Sequence, residues 1–269
     1  MGTWCSGYVV SQASGCQYFG ASVITTGKVG EVEQTRPEPL NLAIFWAKTD
    51  REHQTAAYHP LGCHLLDVGL VVRAMWNDLL PGATRRAVAK TLETDENTAG
   101  GWISFWAALH DLGKLSPSFQ LNDPRAIARL ARHNFPTRRP GRRPLHGTIS
   151  ALALRELLRT EFQHPAPLAG NLATIVGGHH GIFPTFSEVN SINSAEFGGE
   201  PWAAARLDLV RLVAHQLSIP SAPPSGQIDH PAALIVAGLI TVADWIGSNS
   251  RFFTYAATGA EDDPQIQSQ

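Results

Sequence analysis

From residue 58 onward the chain is written in a helical period, and titratable side chains fall inside its most apolar helices. The stretch 59–80 carries Leu61, Leu65, Val68, Val72, Met75, Trp76 and Leu79 at three- and four-residue steps, which makes one apolar stripe along a helix. The same period predicts helices over 102–115, 124–134 (Pro at its start), 144–162, 168–180, 200–217 and 230–249. In 144–162, Ile149, Leu152, Leu157 and Leu158 are expected to face inward. In 200–217 the apolar face is Trp202, Leu209, Leu212 and Val213. The stretch 230–249 is so uniformly apolar that a central, buried helix is expected. Breakers at 136–144, 184–199 and 220–226 separate the helices, no convincing strand pattern follows residue 45, and no internal repeat is evident. The expected fold is all-α, a helical bundle.

Residues 1–45 differ: Gly, Ser, Thr and Val dominate, Pro37 and Pro39 interrupt, and no helical period is visible. They predict a loosely ordered extension or a small hairpin, followed by a domain over 46–250 and a tail over 251–269. With 269 residues and 43% hydrophobic side chains, a full core is within reach. The formal net charge of -2 offers a polyanion no global attraction, so any such site must rest on local charge or on metal. Cys5, Cys16 and Cys63 form no CxxC pair, which fits a reducing cytoplasm and argues against a Cys-built zinc site. No unbroken run of 18 apolar residues and no basic-then-apolar leader occurs, so neither membrane association nor a secretory signal is expected.

The chemistry centres on His110-Asp111, near the end of an apolar helix and followed by Leu112-Gly113-Lys114. A charge there costs free energy unless it is paired or bound to metal. A His-Asp pair alone is as readily a surface or helix-end pair. Four further features change the balance. His64 lies within the first apolar stripe, His146 opens a later helix, His179-His180 stands between glycines, and Asp244 sits deep in the most apolar helix. Each has its own bland reading: a hydrogen-bonded core histidine, a helix N-terminal residue, an Asp paired with an Arg. All of these holding together is improbable, and helices of a bundle converge on a common interior where metal sites are built.

The order His64, His110-Asp111, His146, His179-His180, Asp244 is similar to the HD superfamily of metal phosphohydrolases. More narrowly, the chain resembles the HD nuclease of type I CRISPR systems over about 45–250. The residues that carry the resemblance are Pro60-Leu61 with 64–69, His110-Asp111-Leu112-Gly113-Lys114 with Ser116-Pro117 and Phe119-Gln120, and His146-Gly147 with Ser150-Ala151. Gly178-His179-His180-Gly181 and 243–249 complete it. The resemblance implies an HD-domain bundle with a buried dinuclear site. It implies one ion on His64, His110, Asp111 and Asp244, and a second on the bridging Asp111 with His146, His179 and His180. Imidazole mixed with carboxylate suits Mn, Fe, Co, Ni or Zn, with Mg also open. Hydrolysis of a phosphodiester by metal-activated water follows, with His110 and Asp111 at its centre. Lys114, four residues after His110 and on the same face if the helix continues, is suited to hold a non-bridging phosphate oxygen or to stabilise the leaving oxygen, or else is an ordinary solvated Lys. Ser248, four after Asp244, is suited to hydrogen-bond near the site as a nucleic-acid contact, or else is an ordinary polar helix residue. The implied partners are single-stranded DNA, a CRISPR helicase (separate or fused) and a crRNA-guided effector complex.

Between the ligand motifs lies an acid-free segment with Arg125, Arg129, Arg132, Arg138, Arg139, Arg142 and Arg143, suited to a phosphate backbone or else simply solvated. Phe119, Phe135 and Trp245 suit either base stacking or the core. His53, His59, His133, His164, His215 and His230 are expected to be structural or surface residues. No phosphate-loop motif occurs, since Gly27-Lys28 and Gly113-Lys114 lack its remaining residues, so no motor is visible. A stand-alone subunit and an excised domain both remain open. The rival readings are an HD phosphohydrolase acting on free or cyclic nucleotides, which would need a closed pocket, and an inactive recruiting module, which would have no reason to keep the ligand set. An HD-fold oxygenase is disfavoured by the continuation after His110-Asp111.

Overall fold

The structure is a computed structural model that describes residues 41–49, 57–253 and 255. The expectation for 1–45 therefore falls mostly outside the described residues, as does nearly all of the expected tail. Residues 41–45 are ordered, with a short 3-10 turn Leu42–Ile44 and Phe45 fully buried.

The core period emerges as expected. Helix α1 (Leu61–Ala74) continues into a π turn (Met75–Leu79) and buries Leu61, Leu65, Val68 and Val72. Helix α3 (Glu96–Ala108) starts at Asp95, whose carboxylate accepts from two backbone N–H groups of the first turn. It packs on α1 at Gly69, whose carbonyl accepts from Ser104 (2.7 Å), and turns Trp102, Phe105 and Trp106 towards Phe162 and His164. Helix α6 (His146–Thr160) lies against α7 (Ala166–Gly177), and α11 (His230–Gly247) against α1. Helix α10 (Trp202–Gln216) packs on α1 and α3, α5 (Pro124–Arg132) on the turn Leu42–Ile44, and α4 (Pro117–Gln120) follows directly on the Leu109–Lys114 turn. The short α2 (Gly82–Thr91), α8 (Phe186–Asn190) and α9 (Ser194–Phe197) were not foreseen. Helix α2 buries only Val88 and Ala89, too narrow a stripe to register as a period.

Two expectations are corrected. A two-stranded antiparallel ribbon, β1 (Trp46–Thr49) with β2 (Tyr58–Pro60), lies just beyond the point where strand signals seemed to end. Its strands are too short for alternation to show. Second, α11 is not buried all round. Ala232, Val236, Ile240, Ala243 and Asp244 face inward, while Leu234 and Trp245 are about 70% exposed (71% and 69%). The bundle covers only one face of this helix. By length and composition alone α11 could cross a membrane, but its buried face packs on α1 and carries Asp244 inward.

Candidate metal centre

The His110-Asp111 segment is held in place by its own sequence neighbours. Helix α3 ends at Ala108 and tightens into a 3-10 turn, Leu109–Lys114. Ser150 of α6 donates to the His110 carbonyl (2.7 Å) and accepts from Gly113 N–H (2.8 Å). A side chain at Gly113 would collide with the His146 carbonyl and the Ser150 amide, so only glycine lets the turn approach α6 this closely. Ser116 donates to the Gly113 carbonyl, and the Gln120 amide donates to the carbonyls of Lys114 and Trp46. The Ser-Pro-x-Phe-Gln continuation thus clamps the turn to β1.

Around that turn, α1 supplies His64, α6 His146, the end of α7 His179 and His180, and α11 Asp244. The structure brings all seven sequence-named residues together. The Asp111 carboxylate stands between two groups. One oxygen lies 3.1 Å from His64 Nε2 and 3.3 Å from His110 Nε2. The other lies 3.1 Å from His146 Nε2 and 3.6 Å from His179 Nε2. Asp244 Oδ1 lies 3.3 Å from His64 Nε2 and 3.4 Å from His110 Nε2. The ligand-type atoms of His64, His110, Asp111 and Asp244 all lie within 4.8 Å of one another, as do those of His146, His179 and His180.

These close approaches are not aligned as hydrogen bonds. His64 Nε2, His110 Nε2, His179 Nε2 and Asp111 Oδ1 are buried without a hydrogen-bond partner, while Asp111 Oδ2 has only the Lys114 ammonium. Orphaned polar atoms in a dry interior are costly unless something sits among them. Meanwhile His110 Nδ1 donates to the Ala107 carbonyl (3.0 Å) and His179 Nδ1 to the Val176 carbonyl (2.9 Å). That turns each Nε2 inward, the usual arrangement behind a metal-ligating histidine. Thr241, which sequence reasoning missed, donates to the His179 carbonyl (2.9 Å) and ties α11 to this strand of the site. Only a Thr in an apolar run hinted at it. The donor set fits one or two divalent cations.

The electrostatics agree with a cation site. Burial works to raise the Asp111 carboxyl, yet Lys114, His110 and His146 beside it hold it well below the carboxylate range. Burial likewise opposes ionisation of Asp244, but the close approach of the His110 and His64 rings wins and lowers it. Burial lowers His64, and pushes His179 down to about 3. Burial also opposes a charge on His110, but Asp111 and Asp244 outweigh it and raise the ring to about 9. Both carboxylates are therefore ionised, and the lowered His64, His179 and His180 rings offer neutral lone pairs, while a metal ion would have to displace the His110 proton.

Lys114 is not on an exposed helix face. The 3-10 turn buries it, with Nζ 2.5 Å from Asp111 Oδ2 and 3.3 Å from the Ala47 carbonyl. A second ammonium, unforeseen from sequence, enters from the ribbon: Lys48 Nζ lies 3.7 Å from Asp244 Oδ1. Ser248 donates to the same Asp244 oxygen (2.9 Å). Of the arginines, Arg138 and Arg139 are exposed and line a cavity of about 420 Å³ with Pro117, Ser194 and Trp202. Arg142 pairs with Glu196 (3.3 Å), Arg143 is exposed, and Arg129 is buried with its Nε on the Ile44 carbonyl. Phe135 is core, Phe119 packs on Trp46, and Trp245 projects into solvent beside Asp244. His59 is buried on Asp67, and His164 accepts from the Trp106 indole; His133, His215 and His230 are exposed, and His53 lies outside the described residues.

Residues 46–253 match the family model described as Cas3, HD domain. The chain belongs to the Cas3 HD-domain family. Among relatives of this family, a CRISPR-associated endonuclease/helicase Cas3 of Thermus thermophilus is 34% identical over 223 residues, which cover 81% of this chain and 23% of that protein. The Thermus thermophilus Cas3 HD domain solved in the presence of Ni2+ aligns with a TM-score of 0.60 at 29% identity, covering 84% of this chain and 86% of that one. A CRISPR RNA-guided surveillance complex in a pre-nicking state contains a chain that aligns with a TM-score of 0.66 at 30% identity, covering 81% of this chain and 26% of that one. The chain spans about a quarter of the length of the curated Cas3 relatives it matches. The expected HD bundle, with its buried His/Asp cluster, is thus the observed fold, and the domain is of the HD nuclease type found in CRISPR systems, with a centre fit for divalent metal.

Proposed function

We propose that the HD domain, taken as residues 46–250, hydrolyses DNA phosphodiesters, acts on single strands, and does so in type I CRISPR interference. The observation that carries this reading is the set of buried atoms without a hydrogen-bond partner, His64 Nε2, His110 Nε2, His179 Nε2 and Asp111 Oδ1, gathered around one carboxylate. His64, His110, Asp111 and Asp244 would hold one divalent ion, and Asp111 with His146, His179 and His180 a second. The mixed donor set favours Mn, Fe, Co, Ni or Zn over Mg. Such ions supply activated water at neutral pH and neutralise charge on the attacked phosphate. The chain itself fixes the geometry. The Ala107 and Val176 carbonyls set two imidazole tautomers, Lys114 holds Asp111, and Ser248 and Thr241 hold the α11 side.

Exposed rings near the ligands support a single-stranded substrate. Trp245 follows Asp244, and Phe183 (45% exposed) lies over the Gly178 backbone beside His179. Unpaired bases stack on such rings, whereas bases inside a duplex present none of their faces. Arg138, Arg139 and Arg143 would carry the strand's phosphates away from the metals. A CRISPR helicase, fused or separate, and a crRNA-guided effector complex would deliver the strand in the cytoplasm. The alternative, hydrolysis of free or cyclic nucleotides, shares the ligands but makes no use of the exposed rings or the exposed arginines.

The deciding experiment strips the protein of metal, restores Mn, Co, Ni, Fe or Mg in turn, and offers circular single-stranded DNA, with Asp111→Ala as control. Metal-dependent nicking that vanishes in the variant is expected, and it also separates endonuclease from exonuclease action. Hydrolysis confined to free nucleotides would overturn the reading.

A further inference from the structure

Two lysines face the carboxylates of the metal centre, and the structure treats them differently. Lys114 is 4% exposed, and its ammonium is shared between Asp111 and the Ala47 carbonyl. Lys48 reaches in from the next residue of β1. Its side chain keeps 24% of its surface in solvent, and it touches the centre only at the edge, 3.7 Å from Asp244. Opposite it on β2 is His59, which is anchored on Asp67 (2.8 Å), and the ribbon is pinned to the Gln120 amide at Trp46. The backbone under Lys48 is therefore fixed, while its side chain is free to swing.

Charge bookkeeping says where it would swing. The ammoniums of Lys114 and Lys48 alone already match the two carboxylates of Asp111 and Asp244. Adding even one divalent ion to Asp244 leaves the centre positive and makes the contact with Lys48 repulsive. A lysine on a flexible four-carbon stem then turns to the next anion available. In a phosphodiesterase that anion is the phosphate drawn onto the ions. Lys114 cannot do the same, being sealed beneath Asp111.

We propose that Lys48 is the side chain that contacts the reacting phosphate, gripping a non-bridging oxygen at the solvent-facing edge of the centre, and that Lys114 serves to position Asp111. The inference rests on the phosphodiesterase reading above. In it, β1 is part of the substrate site and not merely a brace for α1.

The test compares Lys48→Met and Lys48→Arg with wild type, all loaded with Mn. Metal content is read by mass spectrometry, and binding of the dinucleotide pTpT, a product-like phosphate, by calorimetry at several salt concentrations. Single-strand cleavage is read alongside. Lys48→Met should keep its metal, lower kcat about a hundredfold as for loss of one oxyanion donor, and change KM little. The salt slope of its pTpT binding should fall by about 0.7, the loss of one phosphate contact on a single strand. Lys48→Arg should recover most of both. Unchanged pTpT binding with wild-type cleavage, loss of metal in Lys48→Met, or no pTpT binding by wild type would each overturn the inference. Lys48-dependent pTpT binding without any DNA cleavage by wild type would sink the nuclease reading and leave the role of Lys48 standing.

Discussion

Lys114 Nζ lies 2.5 Å from Asp111 Oδ2, with both side chains buried. Burial lowers the pKa of this lysine even though Asp111 beside it works the other way. Removing one partner of a buried pair leaves the other charge uncompensated, at about 3–5 kcal/mol. Metal-free Lys114→Met should therefore melt well below metal-free wild type. Saturating Mn should close much of the gap, because a divalent cation replaces the lost charge. Thermal scans with and without metal read this directly, and a gap that metal leaves untouched would contradict the pairing.

The two ligand groups share only Asp111, so they should empty separately. His146→Ala and His180→Ala are expected to lose one of two bound ions and keep the other, held by His64, His110, Asp111 and Asp244. Asp111→Ala should disturb both, and lower cleavage about a thousandfold, in line with several kcal/mol of Lewis-acid stabilisation. Metal analysis after dialysis checks the stoichiometry. Loss of both ions in His146→Ala would show the groups to be a single site.

Trp245 is 69% exposed on the stripe shared with Thr241 and Ser248, both of which bond to the centre. Truncation to Ala should leave the melting temperature almost unchanged. It should weaken single-strand binding by about 1–3 kcal/mol, the usual worth of one stacked base. Fluorescence anisotropy with a labelled oligonucleotide measures it. Equal affinities would remove Trp245 from the substrate path.

Away from the metals, His164 is buried, accepts from Trp106 Nε1 (3.0 Å), and is pushed down to about 4 by that burial. The unfolded chain protonates this ring near 6.5 and the folded one only near 4. Stability from this residue is thus complete above pH 6.5 and is lost as pH falls from 6.5 towards 4, by about 3 kcal/mol in all. His164→Gln keeps an acceptor for the indole but cannot titrate. Its stability deficit against wild type, from urea unfolding, should shrink across that window. A constant deficit would refute the assignment.

Spacing along the chain was enough to give the bundle and to name the His and Asp side chains that meet inside it. Apolar residues at helical spacing can be buried only on one face of a helix, and His64, His110, Asp111 and Asp244 interrupt that spacing where a solvated role is not available. The Ser-Pro-x-Phe-Gln stretch could be recognised but not explained, because its hydrogen bonds run to carbonyls that only the folded chain brings near. What the tertiary structure alone decided is exposure and pairing. Composition made α11 look buried, yet the bundle offers it a single neighbour face, so Trp245 is left in solvent. Lys114 was expected on the His110 face of a continuing helix, yet the helix tightens at Leu109 and turns it onto Asp111. Lys48 carried no signal at all, since a four-residue strand has no readable period and its partner lies 196 positions along the chain, at Asp244. Local spacing fixes which way a side chain leaves its own helix; whether it then meets water, a carbonyl or a carboxylate depends on elements remote in sequence.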